Sequence, residues 1–447
     1  MRILRWWVVF LAAGAWPAPG RPDAPVVADE PAERSADLEH EVRRLLAELG
    51  GETRAGRMAA EKRLIELGPQ VLPLLPAPEL LPSISVRETV RRVRVDLERT
   101  KARDSVLPSK VTLVGRKSVA ETLAAITQQT GNRLDGSQLA ERMLREPVDP
   151  GFQDVYFWRA LDDLAAQLNV RYEFDLGVRG LKLLPAQPDG RPPEITPCYA
   201  GAFRVTALPV ERKPRRADDL ARVTLILMPE PRLRPLFLQY AIHDMTARSA
   251  EKRDLKPLSP EASYEVPLGE GGGLIRIVPE YLVPKTAAMT ALALKGKLRC
   301  TTAAGQEVIR FTDLDKALGA RGANVARRRG GVTVTLNRVR VETAASGRQT
   351  AHIQVTVAYD AGGPAFESHQ RWLLHNDVFL EDRSGKHANL NRGSESGAVA
   401  GGGEAIEYHF TDLAGSIADY SLVYIAPTLI VDVPIDFEIQ SVPLGKK

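Results

Sequence analysis

The sequence predicts a multi-domain α+β protein in which the helices come first and most strands come later. Three observations predict this class. Apolar residues recur at helical spacing up to about residue 104, a strand and helix unit is then repeated, and apolar residues alternate with a period of two in much of the chain after Pro192. The 447 residues suit several domains of about 100–200 residues each. We therefore expect an N-terminal helical hairpin, a small β-α-β module and two C-terminal antiparallel β-sandwich-like domains.

The composition excludes several classes of protein. With 44% hydrophobic and 26% charged residues, the chain is not broadly disordered. Its 60 Lys and Arg against 56 Asp and Glu leave a net charge of +4, which is too balanced to predict a nucleic-acid partner. Two cysteines are too few for a disulfide-rich scaffold or a four-cysteine zinc site.

The first 28 residues have the pattern of a secretory signal peptide and the start of a spacer. Arg2 and Arg5 precede an apolar run that ends at Trp16, which is well short of the roughly 20 residues that a membrane-spanning helix needs. Cleavage after either Ala15 or Ala28 fits the pattern. We expect an exported protein with no membrane span in the mature chain.

The region 34–104 is expected to be helical. Leu38, Val42 and Leu45 share one helix face, and Ser85 with Glu88 matches a capping box that would start the last helix. The sequence LGPQVLPLL at 67–75 resembles the segment between the helices of a HEAT-like repeat. The resemblance covers one pair of helices and implies a HEAT-like hairpin.

The clearest internal repeat lies within residues 108–186. VAETLAAITQQTGNRL at 119–134 aligns without gaps on FWRALDDLAAQLNVRY at 157–172, and both copies place apolar residues on one helix face. A strand precedes the first copy and two strands follow the second. This order resembles the short N-terminal domain of secretins and TonB receptors in the bacterial envelope. The resemblance implies a module that binds partners in the periplasm; an unrelated α+β domain with the same order is the alternative.

The C-terminal half is expected to form strands. In VDVPIDFEIQ at 431–440 every second residue is apolar, and Pro434 places the strand at an edge or a bulge because proline lacks the N–H for a ladder. RVTLIL and HIQVTV start two similar successions of strands and bends. They predict one β-sandwich at 195–320 and a second at 330–447. VARRRGG at 325–331 is expected to be a solvated linker between them, with binding of acidic glycan or membrane phosphate as the alternative.

The two cysteines are candidates for one disulfide. Export would allow Cys198 and Cys300 to join, whereas the alternative is two buried, unpaired thiols. The sequence leaves both possibilities open.

A search for catalytic chemistry finds no recognisable motif. The H-E-x-x-H and G-x-S-x-G patterns are absent, and the glycine runs lack the Lys and Ser or Thr of a phosphate loop. We therefore expect no catalytic residue and no cofactor. The hairpin HNDVFLEDRSGKH contains four candidate metal ligands, which are His375, Asp377, Asp382 and His387. Asp382 also fits an ordinary Asp-initiated turn and Asp377 fits a position that faces water, so we expect no metal there.

The whole order of regions resembles uncharacterised multi-domain envelope proteins of bacteria. Because no catalytic set is found and sandwiches and short β-α modules commonly serve recognition, we expect an exported protein of the periplasm or cell envelope that performs no catalysis and binds a protein or glycan partner or acts as a scaffold. One alternative is a hydrolase, glycosidase-like or metal-dependent, with its site in the C-terminal β domains. Another is a structural subunit that assembles with itself; the oligomeric state stays open.

Overall fold

The computed structural model describes residues 30–175, 180–186, 195–268, 273–287, 289–319, 324–345, 347–359, 376–391, 396–399 and 403–445. The predicted signal segment lies outside this part of the chain. The described part of the chain is mostly β, with 47% of its residues in strands and 27% in helices. The chain divides into two compact units between Val95 and Asp96. No helix in the described ranges is long and apolar enough to cross a membrane.

The first unit is helical, as the sequence predicts. Its helices are α1 (Glu30–Glu48), α2 (Arg54–Glu66) and the start of α3 (Ile84–Ser105). The Thr53 side chain accepts a hydrogen bond from the Gly56 N–H and caps α2. Two 3₁₀ turns separate α2 from α3.

The predicted start of α3 at Ser85 is wrong. The helix begins at Ile84, and the Arg87 N–H donates to the Ser83 carbonyl at 2.9 Å. The Ser85 carbonyl accepts from the Thr89 hydroxyl instead. A capping motif in the sequence therefore does not by itself determine the residue at which a helix begins after a proline-rich turn.

The second unit begins with a small α/β module. Its elements after α3 are β1 (Lys110–Leu113), β2 (Lys117–Ser118), α4 (Val119–Thr130), β3 (Leu134–Asp135), α5 (Glu141–Arg145), β4 (Pro147–Val148), β5 (Phe152–Tyr156), α6 (Phe157–Leu168), β6 (Val170–Asp175) and β7 (Gly180–Pro185). The two aligned segments form the 12-residue helices α4 and α6. The short helix α5 lies between them, and no counterpart follows α6 in the described part of the module. Strand β1 pairs with β5, β2 with β4, and β7 lies between β3 and β6.

The strands of the first β region follow. They are β8 (Cys198–Ala200), β9 (Phe203–Ala207), β10 (Glu211–Lys213), β11 (Asp219–Arg222), β12 (Leu225–Pro229), β13 (Arg234–Ala241), β14 (Met245–Ser249), β15 (Asp254–Pro257), β16 (Ser263–Pro267), β17 (Ile275–Ile277), β18 (Glu280–Val283) and β19 (Ala291–Phe311). Strands β17-β12-β9-β8 form a four-stranded sheet. The others belong to a ten-stranded sheet, which also takes in two later strands.

The last strands are β20 (Val325–Arg329), β21 (Val332–Thr343), β22 (Gln349–Tyr359), β23 (Asp377–Asp382), β24 (Asn389–Asn391), β25 (Ser396–Val399), β26 (Gly403–Leu413) and β27 (Tyr420–Pro443). Strands β20-β21-β22-β26-β24 and β25 form a six-stranded sheet, whereas β23 and β27 join the ten-stranded sheet.

The long strands β19 and β27 pair with each other and serve both β regions. Cys300 pairs with Val433 in the first apolar core, and Ile309 pairs with Tyr424 in the second. Side chains alternate between the faces of a strand, so even-numbered Cys300 and odd-numbered Ile309 lie on opposite faces. The two cores therefore occupy opposite faces of one strand pair.

This pairing differs from the two sequential sandwiches expected at 195–320 and 330–447. The segments TALALKGKLRC and TLIVDVPIDFEI, which two sequential sandwiches would place in separate domains, are partners in the same sheet. Val433, Ile435 and Phe437 complete the first core, although they follow the expected boundary by about a hundred residues. At Pro434, β27 pairs with β19 alone among the described strands, which agrees with the predicted edge position.

The predicted linker at 325–331 is a strand and a turn. Gly330 and Gly331 form a two-residue loop between Arg329 and Val332, which are partners of β20 and β21. Both glycines have positive φ, 54° and 77°, as a type I′ turn requires. The two glycines therefore continue the sheet through a tight hairpin.

The α/β module is fixed to the first β region by a buried carboxylate. Glu230, only 1% exposed, follows β12 and accepts hydrogen bonds from the Ser109 N–H at 2.9 Å, the Ser109 hydroxyl at 2.7 Å and Asn132 Nδ2 at 3.1 Å. Arg232 Nε donates to the same carboxylate at 2.6 Å. The Trp158 indole N–H also crosses to the Ala202 carbonyl at 3.1 Å. These bonds satisfy a charge that would be costly to bury alone.

Candidate binding groove

A cavity of about 630 Å³ lies beside a break inside the ten-stranded sheet, between two strands that both pair with β19. Strands β13 and β14 both pair with β19, at Gln239 with Arg299 and at Met245 with Gly296, and a 3₁₀ turn at Ile242–Asp244 separates them. The cavity, here called the groove, is lined by Gln239, Tyr240, Ala241, Asp244, Ser263, Tyr264, Glu265, Lys297, Leu298, Arg299, Pro434 and Asp436. Its volume falls within the range of about 300–1,000 Å³ that is typical of ligand pockets.

Strand register brings the polar side of the groove together. Gln239 on β13 pairs with Glu265 on β16 on one side and with Arg299 on β19 on the other. Gln239 Nε2 donates to Glu265 Oε2 at 3.0 Å, which holds the amide and the carboxylate in a defined orientation. Hydrogen-bonding groups from three strands therefore line one wall.

Three charged side chains of the groove have no partner in the described part of the chain. Lys297, Arg299 and Asp436 are exposed, and no hydrogen bond or ion pair to a described residue engages them. Lys297 and Asp436 are direct partners in the register of β19 and β27. The groove therefore offers both positive and negative side chains to a charged ligand.

Two tyrosines form the aromatic part of the groove. Tyr240 and Tyr264 stack with ring centroids 5.1 Å apart and an interplanar angle of 25°. Burial, with a smaller effect from Tyr264, raises the pKa of Tyr240 to about 12, so its hydroxyl stays protonated at neutral pH. Tyr264 is 46% exposed and lines the groove. Because Tyr240 and Tyr264 stand next to Gln239 and Glu265 in their strands, the two rings lie on the opposite face of the sheet from the Gln239 and Glu265 side chains, and Tyr264 offers a ring surface there.

This combination of groups suits recognition of a polar ligand. An exposed aromatic ring supplies contact area, and the amide, carboxylates and cations supply oriented hydrogen bonds. Sequence reasoning missed the groove because its residues come from four strands. The alternation of β27, which marks Asp436 as outward-facing, was the one available signal.

The predicted disulfide partners lie in the same apolar core. Cys300 is fully buried in the first core, and Cys198 packs against that core from β8. Both are free thiols in the structure. The bond stays a prediction that thiol titration decides.

The structure describes only some of the candidate metal ligands of the hairpin. His375 lies outside the described residues, and Asp377 and Asp382 stand at odd separation on β23, so they point to opposite faces. Asp382 Oδ1 accepts from the Ser384 hydroxyl at 2.7 Å and from the Lys386 N–H at 3.0 Å, the bonds of an Asp-initiated turn. The ring of His387 stacks on Phe379, with centroids 4.3 Å apart. Asp377, Asp382 and His387 therefore do not converge on one point.

Comparisons with known proteins leave the chain without an assigned relative. No family model matches it, and no curated protein matches it. Among solved structures it is similar to one described as "pT26-6p", at 9% identity and a TM-score of 0.15. That match covers 56% of this chain and 65% of the other, so this chain spans less than two thirds of its length. A likeness at this TM-score carries no argument about fold or function.

Proposed function

We propose that this chain is an exported protein of the bacterial periplasm or cell envelope that performs no catalysis and binds a protein or glycan partner in the groove. The observation that carries the proposal is the joint presence of exposed Tyr264 and the unpaired charges of Lys297, Arg299 and Asp436 in one cavity. Unpaired charges in a concave site are free to recognise a ligand.

The proposal includes the assignments that the sequence suggests for the separate regions. These are a HEAT-like hairpin at 34–104, a module similar to the secretin and TonB-receptor short N-terminal domain at 108–186, and two β-sandwich-like regions that share β19 and β27. The Glu230 contacts support a scaffold role, because they hold the α/β module rigidly against the β region that carries the groove.

A titration of groove variants tests the binding function. The full chain is screened against arrays of defined oligosaccharides and peptides, and each ligand found is titrated by calorimetry. Since hot-spot Tyr and Arg side chains contribute about 2 kcal/mol or more, Tyr264→Ala and Arg299→Glu are each expected to weaken binding by roughly tenfold or more.

The matched control is Lys295→Glu, the same charge change on the same face of β19, outside the groove. Lys295 pairs with Glu438 and does not line the cavity. It should leave the affinity unchanged. Equal losses in Arg299→Glu and Lys295→Glu, or none in either, would contradict binding at the groove.

One observation favours a glycosidase as the second candidate. Asp436 pairs with Lys297 on one side of β19, and Asp244 directly precedes Met245 on the other side. Both side chains line the groove, so one cavity holds two carboxylates of the kind that a glycosidase uses as acid and base. Release of reducing sugar from a bound oligosaccharide, lost in Asp436→Asn, would favour this candidate over binding alone.

A further inference from the structure

A second cluster of functional side chains lies on the six-stranded sheet, away from the groove residues. His352 on β22 is the direct partner of His409 on β26, and Glu407 stands two residues before His409 on the same face. Ile353 and Tyr408, the neighbours with opposite orientation, are buried in the second core. The cluster therefore occupies the outer face of the sheet. We propose that His352, Glu407 and His409 bind a zinc ion.

The distances between the three groups fit one metal ion. His409 Nε2 lies 3.1 Å and His352 Nδ1 lies 3.5 Å from Glu407 Oε1. One ligand atom from each residue lies within 4.8 Å of the others. Tetrahedral zinc with bonds of about 2.0–2.1 Å sets its ligand atoms roughly 3.3 Å apart, so little movement is needed.

The surroundings of His352 give an independent reason. Its Nδ1 is buried and has no hydrogen-bond partner in the described structure, whereas its Nε2 lies 3.5 Å from Glu342 Oε2. Histidines that bind metals commonly use one ring nitrogen as the ligand and direct the other to a carboxylate. Glu342 thereby favours the tautomer whose Nδ1 is free to accept a metal.

Two neighbouring side chains already interact with the Glu407 carboxylate. Burial alone would raise the pKa of Glu407, but the hydrogen bond from His409 and the charge of Arg340 outweigh it and hold that pKa below its usual value. The carboxylate is thus ionised at neutral pH. Zinc would replace the proton that His409 shares with Glu407, and that proton would leave to solvent.

Arg340 is the one competing cation in the cluster among the described residues. Its guanidinium lies 3.2 Å and 3.4 Å from the two carboxylate oxygens of Glu407. Three protein ligands leave a fourth position, which zinc fills with water when the protein supplies no further group. The site is independent of the groove and stands whether or not the groove binds a partner.

Competition with a chromophoric chelator tests the site on the full chain after metal is removed. One zinc ion should bind per chain, and X-ray absorption should show two imidazole ligands. Loss of a side chain that only hydrogen-bonds to a ligand typically lowers metal affinity by roughly 10–100-fold, and this is the loss expected for Glu342→Gln. His352→Gln and His409→Gln each remove a ligand and should lower the zinc affinity by more than that. Arg340→Gln should raise the affinity, since it removes the competing charge.

The matched controls are His387→Gln and Asp377→Asn in the β23 hairpin, which should leave zinc affinity unchanged. Circular dichroism of the metal-free variants shows whether each one is folded. The proposal is overturned by absence of zinc binding in the folded chain, by full binding in folded His352→Gln and His409→Gln, or by loss of binding in the β23 controls.

Discussion

At the scale of single residues, burial decides which groups can react. Cys300 is fully buried, and that burial raises the pKa of its thiol to about 12 despite a contact with Thr302. Cys198 is only partly buried. The thiolate is the reactive form, so the two cysteines should differ in reactivity.

Alkylation kinetics check this expectation. In the folded, reduced protein Cys198 should react with iodoacetamide and Cys300 should not, whereas both should react after denaturation. A parallel titration of denatured protein that has never been reduced counts free thiols. Two thiols are expected from the structure; none would establish the disulfide instead. Equal rates in the folded state would contradict the burial of Cys300.

Residue-scale features differ in how far the sequence could predict them. Trp158 is 1% exposed, and its apolar neighbours in the sequence are typical of a core position. The Asp382 turn was recognisable because its contacts are local. The partnership of His352 with His409 was not, since it depends on the pairing of strands far apart in sequence.

At the scale of elements, nearby sequence predicts the helices but not the partners of the long strands. The helices α4 and α6 were predictable because their periodicity is contained in each segment. The capping box of α4, formed by Ser118 and Glu121, is also a local signal. The pairing of β19 with β27 depends on residues more than a hundred positions apart, which periodicity cannot specify.

The attachment of the α/β module to the β region yields a stability prediction. Glu230→Ala removes the carboxylate and leaves Arg232, Ser109 and Asn132 without their shared acceptor. Breaking a buried charged pair typically costs about 3–5 kcal/mol. We expect the free energy of unfolding, measured by urea denaturation, to fall by that amount.

The control removes an exposed ion pair in the same module. Lys110 Nζ lies 2.6 Å from Asp154 Oδ2, and both side chains are largely exposed to water. Lys110→Gln should leave the free energy of unfolding unchanged, since exposed pairs add little stability. A loss in Glu230→Ala no larger than in Lys110→Gln would show that the Glu230 network does not fix the module.

At the scale of the whole molecule, the second unit places the groove and the proposed zinc site on different sheets. The groove lies on the ten-stranded sheet beside the first core, and His352 lies on the six-stranded sheet over the second core. The shared strands β19 and β27 connect the two regions. A scaffold of this kind suits recognition, but function depends on the site and not on the fold.

We propose above all that the groove contacts a partner in the cell envelope. Cross-linking in intact cells tests it, with a photo-reactive amino acid in place of Tyr264 or, as an exposed control on β19, Val308. We expect a partner adduct from position 264 but not from 308. The adduct from position 264 should disappear in the Arg299→Glu variant and persist in the Lys295→Glu variant. Equal adducts from both positions, or capture only of the protein itself, would contradict the account and favour self-assembly or another surface.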